Sequence, residues 1–186
     1  MKDNEISEYV AKNICIRKAN PEDAKGIVNV HFESWKSTYR GIFPDNWLDK
    51  SEDQVFESIE KRKNQILSEQ HTLWPNFVAE FDGKIVGWVA GSINDQKDFN
   101  LDCDLSAIYI LEDYQGLGIG TMLVKIFAKF IISRGYSSFI LWVLKENYKA
   151  RSFYEKLGGD LVGESKYKST YPVVAYGWKN LSLFVN

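Results

Sequence analysis

The sequence predicts a mixed α/β fold, of the α+β kind, in which antiparallel hairpin strands and one parallel β-α-β unit share the chain. Three observations carry this expectation. Asp104 to Gly120, DLSAIYILEDYQGLGIG, reads as an apolar strand, a short polar link and a glycine-rich turn that opens a helix. The next strand, Phe139-Ile140-Leu141-Trp142-Val143-Leu144, is apolar on both faces, as a central strand of a parallel pair should be. Its crossover with the first strand is expected to be right-handed. Finally, Asp82-Gly83 stands between two apolar runs, the strongest short-range hairpin signal.

The remaining elements follow in order. Residues 1–12, MKDNEISEYVAK, are polar and read as a flexible N-terminal arm, leaving 13–186 as one domain. Ile14-Cys15-Ile16-Arg17 alternates like a strand. Asn20-Pro21-Glu22-Asp23 carries an N-cap, a proline at the first helical position and first-turn acids. The helix that follows lines up Ala24, Ile27, Val28, His31 and Trp35, so His31 is expected to be a packed histidine on the buried stripe.

Ser34 to Leu48 is rich in aromatics (Trp35, Tyr39, Phe43, Trp47) and is broken by Gly41 and Pro44. Two readings stay open: these rings cap the core, or they line a pocket on an irregular stretch. A second helix near Asp53 to Leu67 should turn Val55, Phe56, Ile59 and Ile66 inward. Its charges, Glu57, Glu60, Lys61, Arg62 and Lys63, read as a solvated face. The hairpin strands are Phe77 to Phe81 and Lys84 to Ile93, with Gly87 and Gly91 marking a bulge or bend. Residues 94–100 form a polar connector. Arg134-Gly135 closes the helix after the glycine turn, Asn147 caps a short helix ended by Gly158-Gly159, and two last strands run near Leu161 to Tyr167 and Val173 to Leu183.

Composition excludes several classes of function. Hydrophobic residues make up 45% and charged residues 26% of 186 positions, with a net charge of -2. That balance points to neither nucleic acid nor an anionic membrane surface. There is no long apolar run, so no membrane span is expected, and residues 1–12 lack the apolar centre of a signal peptide. A cytoplasmic protein is the expectation. Cys15 and Cys103 read as two buried free thiols. No cluster of cysteine and histidine suggests a metal, and neither His31 nor His71 can be paired with a thiol from sequence.

Gln115-Gly116-Leu117-Gly118-Ile119-Gly120 is the stretch with the most chemistry. Glycines let the backbone approach a ligand closely, and the first N–H groups of a helix have no intrahelical partner. With the helix dipole, the turn makes a candidate phosphate cradle. It is not a P-loop, because Gly120 is followed by Thr121-Met122 rather than Lys-Ser/Thr. Nor does G-x-G-x-G match the dinucleotide fingerprint G-x-G-x-x-G.

Gln115-x-x-Gly118-x-Gly120 does resemble the Gln/Arg-x-x-Gly-x-Gly/Ala signature of the GNAT superfamily of N-acetyltransferases. The segment Glu146-Asn147-Tyr148-Lys149-Ala150-Arg151-Ser152-Phe153-Tyr154-Glu155-Lys156-Leu157-Gly158-Gly159 is similar to that family's E-N-x-x-A-x-x-F-Y-E-K-x-G. The close match covers Asp104 to Gly159, and the order of elements matches from about Ile14 onward. The resemblance implies a mixed, mostly antiparallel sheet whose central parallel pair splays to hold acyl-CoA.

It also implies acetyl-CoA as acyl donor, with no metal. The pyrophosphate would lie on Gln115, Gly116, Leu117, Gly118, Ile119, Gly120 and Thr121, and the pantetheine arm along Ile108, Tyr109 and Ile110. Asn147 would contact the pantetheine, a role compatible with capping its helix. Tyr154 stands where the family carries its general acid, with a core tyrosine as the other reading. Asp104 stands where some members carry a carboxylate and is the candidate base. It also reads as an ordinary strand-end acid, and a water relay is an alternative. Trp35 and Tyr39 would border the acceptor, a primary amine of a small molecule or peptide. The oligomeric state stays open, a homodimer included. A catalytically silent acyl-CoA sensor or interaction module is the competing class.

Overall fold

In the computed structural model, the described residues are 9, 10, 12–68, 74, 76–94 and 99–185. Most of the N-terminal arm (1–8 and 11), His71 and the middle of the polar connector (95–98) lie outside them.

Seven strands form one mixed sheet in the order β1-β2-β3-β4-β5-β7-β6. They are β1 (Cys15–Lys18), β2 (Asn76–Phe81), β3 (Lys84–Ile93), β4 (Cys103–Ile110), β5 (Phe139–Leu144), β6 (Asp160–Tyr167) and β7 (Tyr171–Trp178). The helices are α1 (Ala24–Tyr39), α2 (Asp45–Leu48), α3 (Glu52–Leu67), α4 (Ile119–Ser133) and α5 (Tyr148–Lys156). The parallel pair is β4–β5, registered at Cys103↔Phe139 and Asp104↔Ile140. The pairs β1–β2, β2–β3, β5–β7 and β6–β7 are antiparallel.

The chain clusters into two compact units. One comprises the described residues of Met1–Ala90 and Ala107–Phe127; the other, those of Gly91–Ser106 and Ala128–Asn186. In the first, Asn20 caps a 3-10 turn, Pro21–Asp23, through a reciprocal pair: its side chain accepts from Glu22 N–H while Asp23 accepts from Asn20 N–H. Arg17 on β1 donates to both Asp23 oxygens at 2.6 and 2.7 Å and to Glu80 on β2 at 2.8 Å, tying the strands to the start of α1. Asp82 and Gly83 both take positive φ, 47° and 74°, the backbone of a tight two-residue hairpin turn. The β2–β3 register slips at Ala79/Glu80, where Ala79 faces Gly87. A Cβ at Gly87 would be crowded, 3.2–3.4 Å from Leu123, Ala79 and Ile110.

The second unit is built on β5, stacked through Phe139 on the Trp178 ring of β7 at 4.6 Å. Leu101, Ile140 and Ala175 form a buried cluster against which Phe99, Trp142 and Val162 pack.

Four expectations are corrected. Tyr39 is helical rather than on an irregular stretch: α1, which carries Trp35 as expected, runs through Tyr39 because no breaker intervenes before Gly41. Phe56 is exposed, since α3 starts at Glu52 behind a Ser51 cap and points Val55, Ile59 and Ile66 elsewhere. Cys15 is exposed on edge strand β1, whereas Cys103 is buried. The last strand ends at Trp178, and Leu183 belongs to a 3-10 turn, Ser182–Phe184.

Candidate active site

The glycine turn sits in the first unit. Leu111 N–H donates to Val86 O at 2.9 Å, and the 3-10 turn Glu112–Tyr114 carries the chain into Gln115. The Gln115 side chain folds back and donates through Nε2 to Ile110 O at 3.0 Å. Ser34 Oγ from α1 donates to the same oxygen at 3.1 Å. Both lone pairs of the Ile110 carbonyl are thereby engaged, which pins the end of β4 between turn and helix.

Gly116 and Gly118 have φ of 79° and 84°, and a Cβ added at either would meet nothing within 4 Å. The glycines are therefore not forced by crowding. They permit the left-handed backbone and keep the surface of the turn open. The first helical bond runs from Met122 N–H to Gly118 O, so Gly118 is the N-cap and has no side chain to cap with. The first turn of α4 contains no acid. A helix start left bare in this way favours an anion.

The side chains of β4 join a ring cluster in the same unit. Tyr109 lies 5.0 Å from His31 and stacks on Trp88 at 6.0 Å. His31 meets the Trp35 ring edge-on at 5.3 Å. Trp35, Tyr39, Phe43 and Trp47 continue at 5.0–5.6 Å between centroids. Burial pushes the His31 pKa down to about 4, reinforced by Arg62 and Lys50, so the imidazole is neutral at pH 7.

Arg62 corrects another expectation. It is half-buried with its guanidinium 4.3 Å above Trp88, not on a solvated face. The reason is helical spacing: Val55, Ile59, Arg62 and Ile66 fall on one stripe of α3. An apolar-polar reading of the stripe skips the arginine in it.

In the second unit, burial raises the Asp104 pKa above the usual carboxylate range, against a hydrogen bond with Ser106. Asn147 Oδ1 accepts from Ala150 N–H at 3.1 Å, so it caps α5. Tyr154 is 7% exposed, with its ring 5.3–6.3 Å from Phe153, Tyr176 and Trp178. The surrounding motif is largely structural. Arg151 Nε donates to the Tyr176 hydroxyl, which donates to Glu155. Trp178 Nε1 donates to Leu157 O at 2.9 Å, and a Cβ at Gly159 would lie 2.6 Å from the Trp178 ring.

The model of the acetyltransferase (GNAT) family matches residues 32–159. The chain belongs to that family and is an N-acetyltransferase. It is similar to the uncharacterized N-acetyltransferase YuaI of Bacillus subtilis, 32% identical over 91% of this chain and 95% of the relative. It is similar as well to a spermidine N(1)-acetyltransferase of Thermoplasma acidophilum, 30% identical over 84% of this chain and 99% of the relative. Among solved structures, PaiA N-acetyltransferase from Thermoplasma acidophilum in complex with coenzyme A superposes with a TM-score of 0.70. It is 26% identical, and the match covers 89% of this chain and 99% of that one. Among the described residues, no helix is long and apolar enough to cross a membrane.

Proposed function

We propose that the protein transfers the acetyl group of acetyl-CoA directly to a primary amine of a small molecule or peptide. The observation that carries this is the bare start of α4: an N-cap glycine, open space over Gly116 and Gly118, and no acid in the first turn. These residues fit a pyrophosphate, because backbone N–H groups and the helix dipole are what an anion needs and the first turn of α4 carries no acid. Gln115 to Thr121 would hold it, and the backbone of Ile108, Tyr109 and Ile110 would take the strand-like pantetheine arm, with Asn147 beside it. Acetyl-CoA supplies a thioester, whose carbonyl carbon an uncharged amine attacks; the C–N bond forms and the C–S bond breaks.

The chain's own groups have three tasks. Asp104 removes the proton from the incoming ammonium, ordinary pKa about 10.4. Burial supports this role, since a carboxyl pushed up holds a proton better. The backbone N–H of Ile110 stabilises negative charge on the carbonyl oxygen. Tyr154 gives its phenolic proton to the departing thiolate. Trp35 and Tyr39 border the acceptor amine, and the relative named for spermidine supports an amine acceptor.

The test is CoA release from acetyl-CoA across an amine panel, together with calorimetry of CoA, ATP and NAD. Amine-dependent release and binding of CoA alone support transfer. Binding of CoA without release to any amine would make the protein an acyl-CoA sensor instead.

A further inference from the structure

In the first unit, a hydrogen-bond donor and a positive charge are left without acceptors among the described residues. Arg62 is half-buried over the Trp88 ring, and its pKa is lowered by burial with no opposing contribution from any carboxylate. No described salt bridge ends on it. Taking a guanidinium out of water without a counter-charge is costly, and a cation–π contact offsets only part of that cost. Trp35 Nε1 is buried and has no hydrogen-bond partner among the described residues. His31 lies between the two, 5.3 Å from Trp35 and 6.3 Å from Trp88 by ring centroids. The charges that act on His31 are Arg62 and Lys50, both cations. No carboxylate of the described residues is among the charges that act on His31 or Arg62.

We propose that the acceptor amine carries a carboxylate, as an amino acid does, and that Arg62 binds that carboxylate, with Trp35 Nε1 a second donor to the acceptor. The inference rests on the amine-transfer reading above and narrows its substrate class. A guanidinium presents a planar fork that matches a carboxylate with two parallel hydrogen bonds. A carboxylate would supply the counter-charge that Arg62 lacks among the described residues, whereas the extra ammonium groups of a polyamine would meet a wall already positive. The arginine also has a purely structural use, latching α3 to the sheet through Trp88. The experiment must separate the two.

Matched pairs that differ only in the carboxylate do so: lysine against cadaverine, ornithine against putrescine, with spermidine as the polyamine. At saturating acetyl-CoA we expect kcat/KM to favour the carboxylated member of each pair by roughly tenfold or more. Arg62→Met keeps an apolar stem on Trp88 and should raise KM for lysine and ornithine by about that factor. The Kd for CoA should be unchanged, and cadaverine and putrescine should lose nothing or improve, since their second ammonium no longer faces the Arg62 charge. Arg62→Lys, which keeps charge but loses the fork, should recover part of the preference. Cadaverine matching or exceeding lysine with the native enzyme would overturn the inference. So would an equal loss for all amines with a lowered Tm, which is the signature of a latch. If CoA is bound but no amine releases it, the transfer reading itself fails. Calorimetry of lysine and cadaverine on the CoA-loaded protein then decides the inference, and lysine binding no tighter than cadaverine, or unaffected by Arg62→Met, overturns it.

Discussion

Tyr154→Phe removes one oxygen and keeps the ring that packs among Phe153, Tyr176 and Trp178. If the phenol donates the proton, single-turnover acetyl transfer should slow by on the order of 100-fold across the pH range, with CoA affinity unchanged. A parental rate throughout would leave Tyr154 as a core residue. Trp35 offers a sharper probe than truncation, because its indole N–H is buried without a partner among the described residues. Trp35→Phe deletes that donor and should leave Tm at or above the parent, since an unmet polar group is lost. The KM for the amine should rise several-fold while that for acetyl-CoA stays put. Equal changes in both would assign Trp35 to packing alone.

At the scale of an element, the turn into α4 is where sequence and structure agree most closely. Gly118→Val should abolish CoA binding, because a branched side chain would fill the open space over the turn. It should also cost about 1–3 kcal/mol, since φ is 84° there and a β-branched residue is strained in that region. Calorimetry on the folded variant checks this, and unchanged CoA affinity would show the cradle misassigned. At the end of α5, Gly159→Ala tests the structural half of the second motif. Its methyl would lie 2.6 Å from the Trp178 ring, so we expect a loss of about 1–3 kcal/mol in chemical denaturation. A neutral result would mean that the Trp178 ring shifts freely, against its bond to Leu157 O.

For the molecule as a whole, His31 ties stability to pH. Its folded pKa, about 4, lies below the ordinary value of 6.5, so the unfolded chain takes up the proton first as pH falls. The contribution is therefore fully present above about pH 6.5 and is lost between there and pH 4. Its size is on the order of 3 kcal/mol. Urea midpoints measured from pH 7 to 4 should fall more steeply for the native protein than for His31→Phe, and parallel curves would show that His31 is open to water. The comparison is made between the two proteins because Asp104, Asp102 and other acids titrate in both.

Much of this was legible in one dimension because it is local. A glycine turn, an Asp-Gly hairpin and an asparagine cap are decided by neighbours within a few positions, and all of them stand where the pattern puts them. The motif Glu146 to Gly159 was equally readable, although only the fold explains it: Arg151 and Glu155 hold Tyr176, and Gly159 makes room for Trp178, both more than 18 residues away. The ring cluster of the first unit was not legible. Tyr109 on β4, Trp88 on β3, His31 on α1 and Arg62 on α3 meet across four elements, and no spacing rule links them. A charge on a helix reads as solvated until a ring from a distant strand covers it. The sequence by itself determined the family, the order of elements and the glycine turn that opens α4, because short-range backbone preferences and local motifs carry them. Tertiary structure alone decided which donors and charges are buried, because burial belongs to the packing of the whole chain and not to any stretch of it.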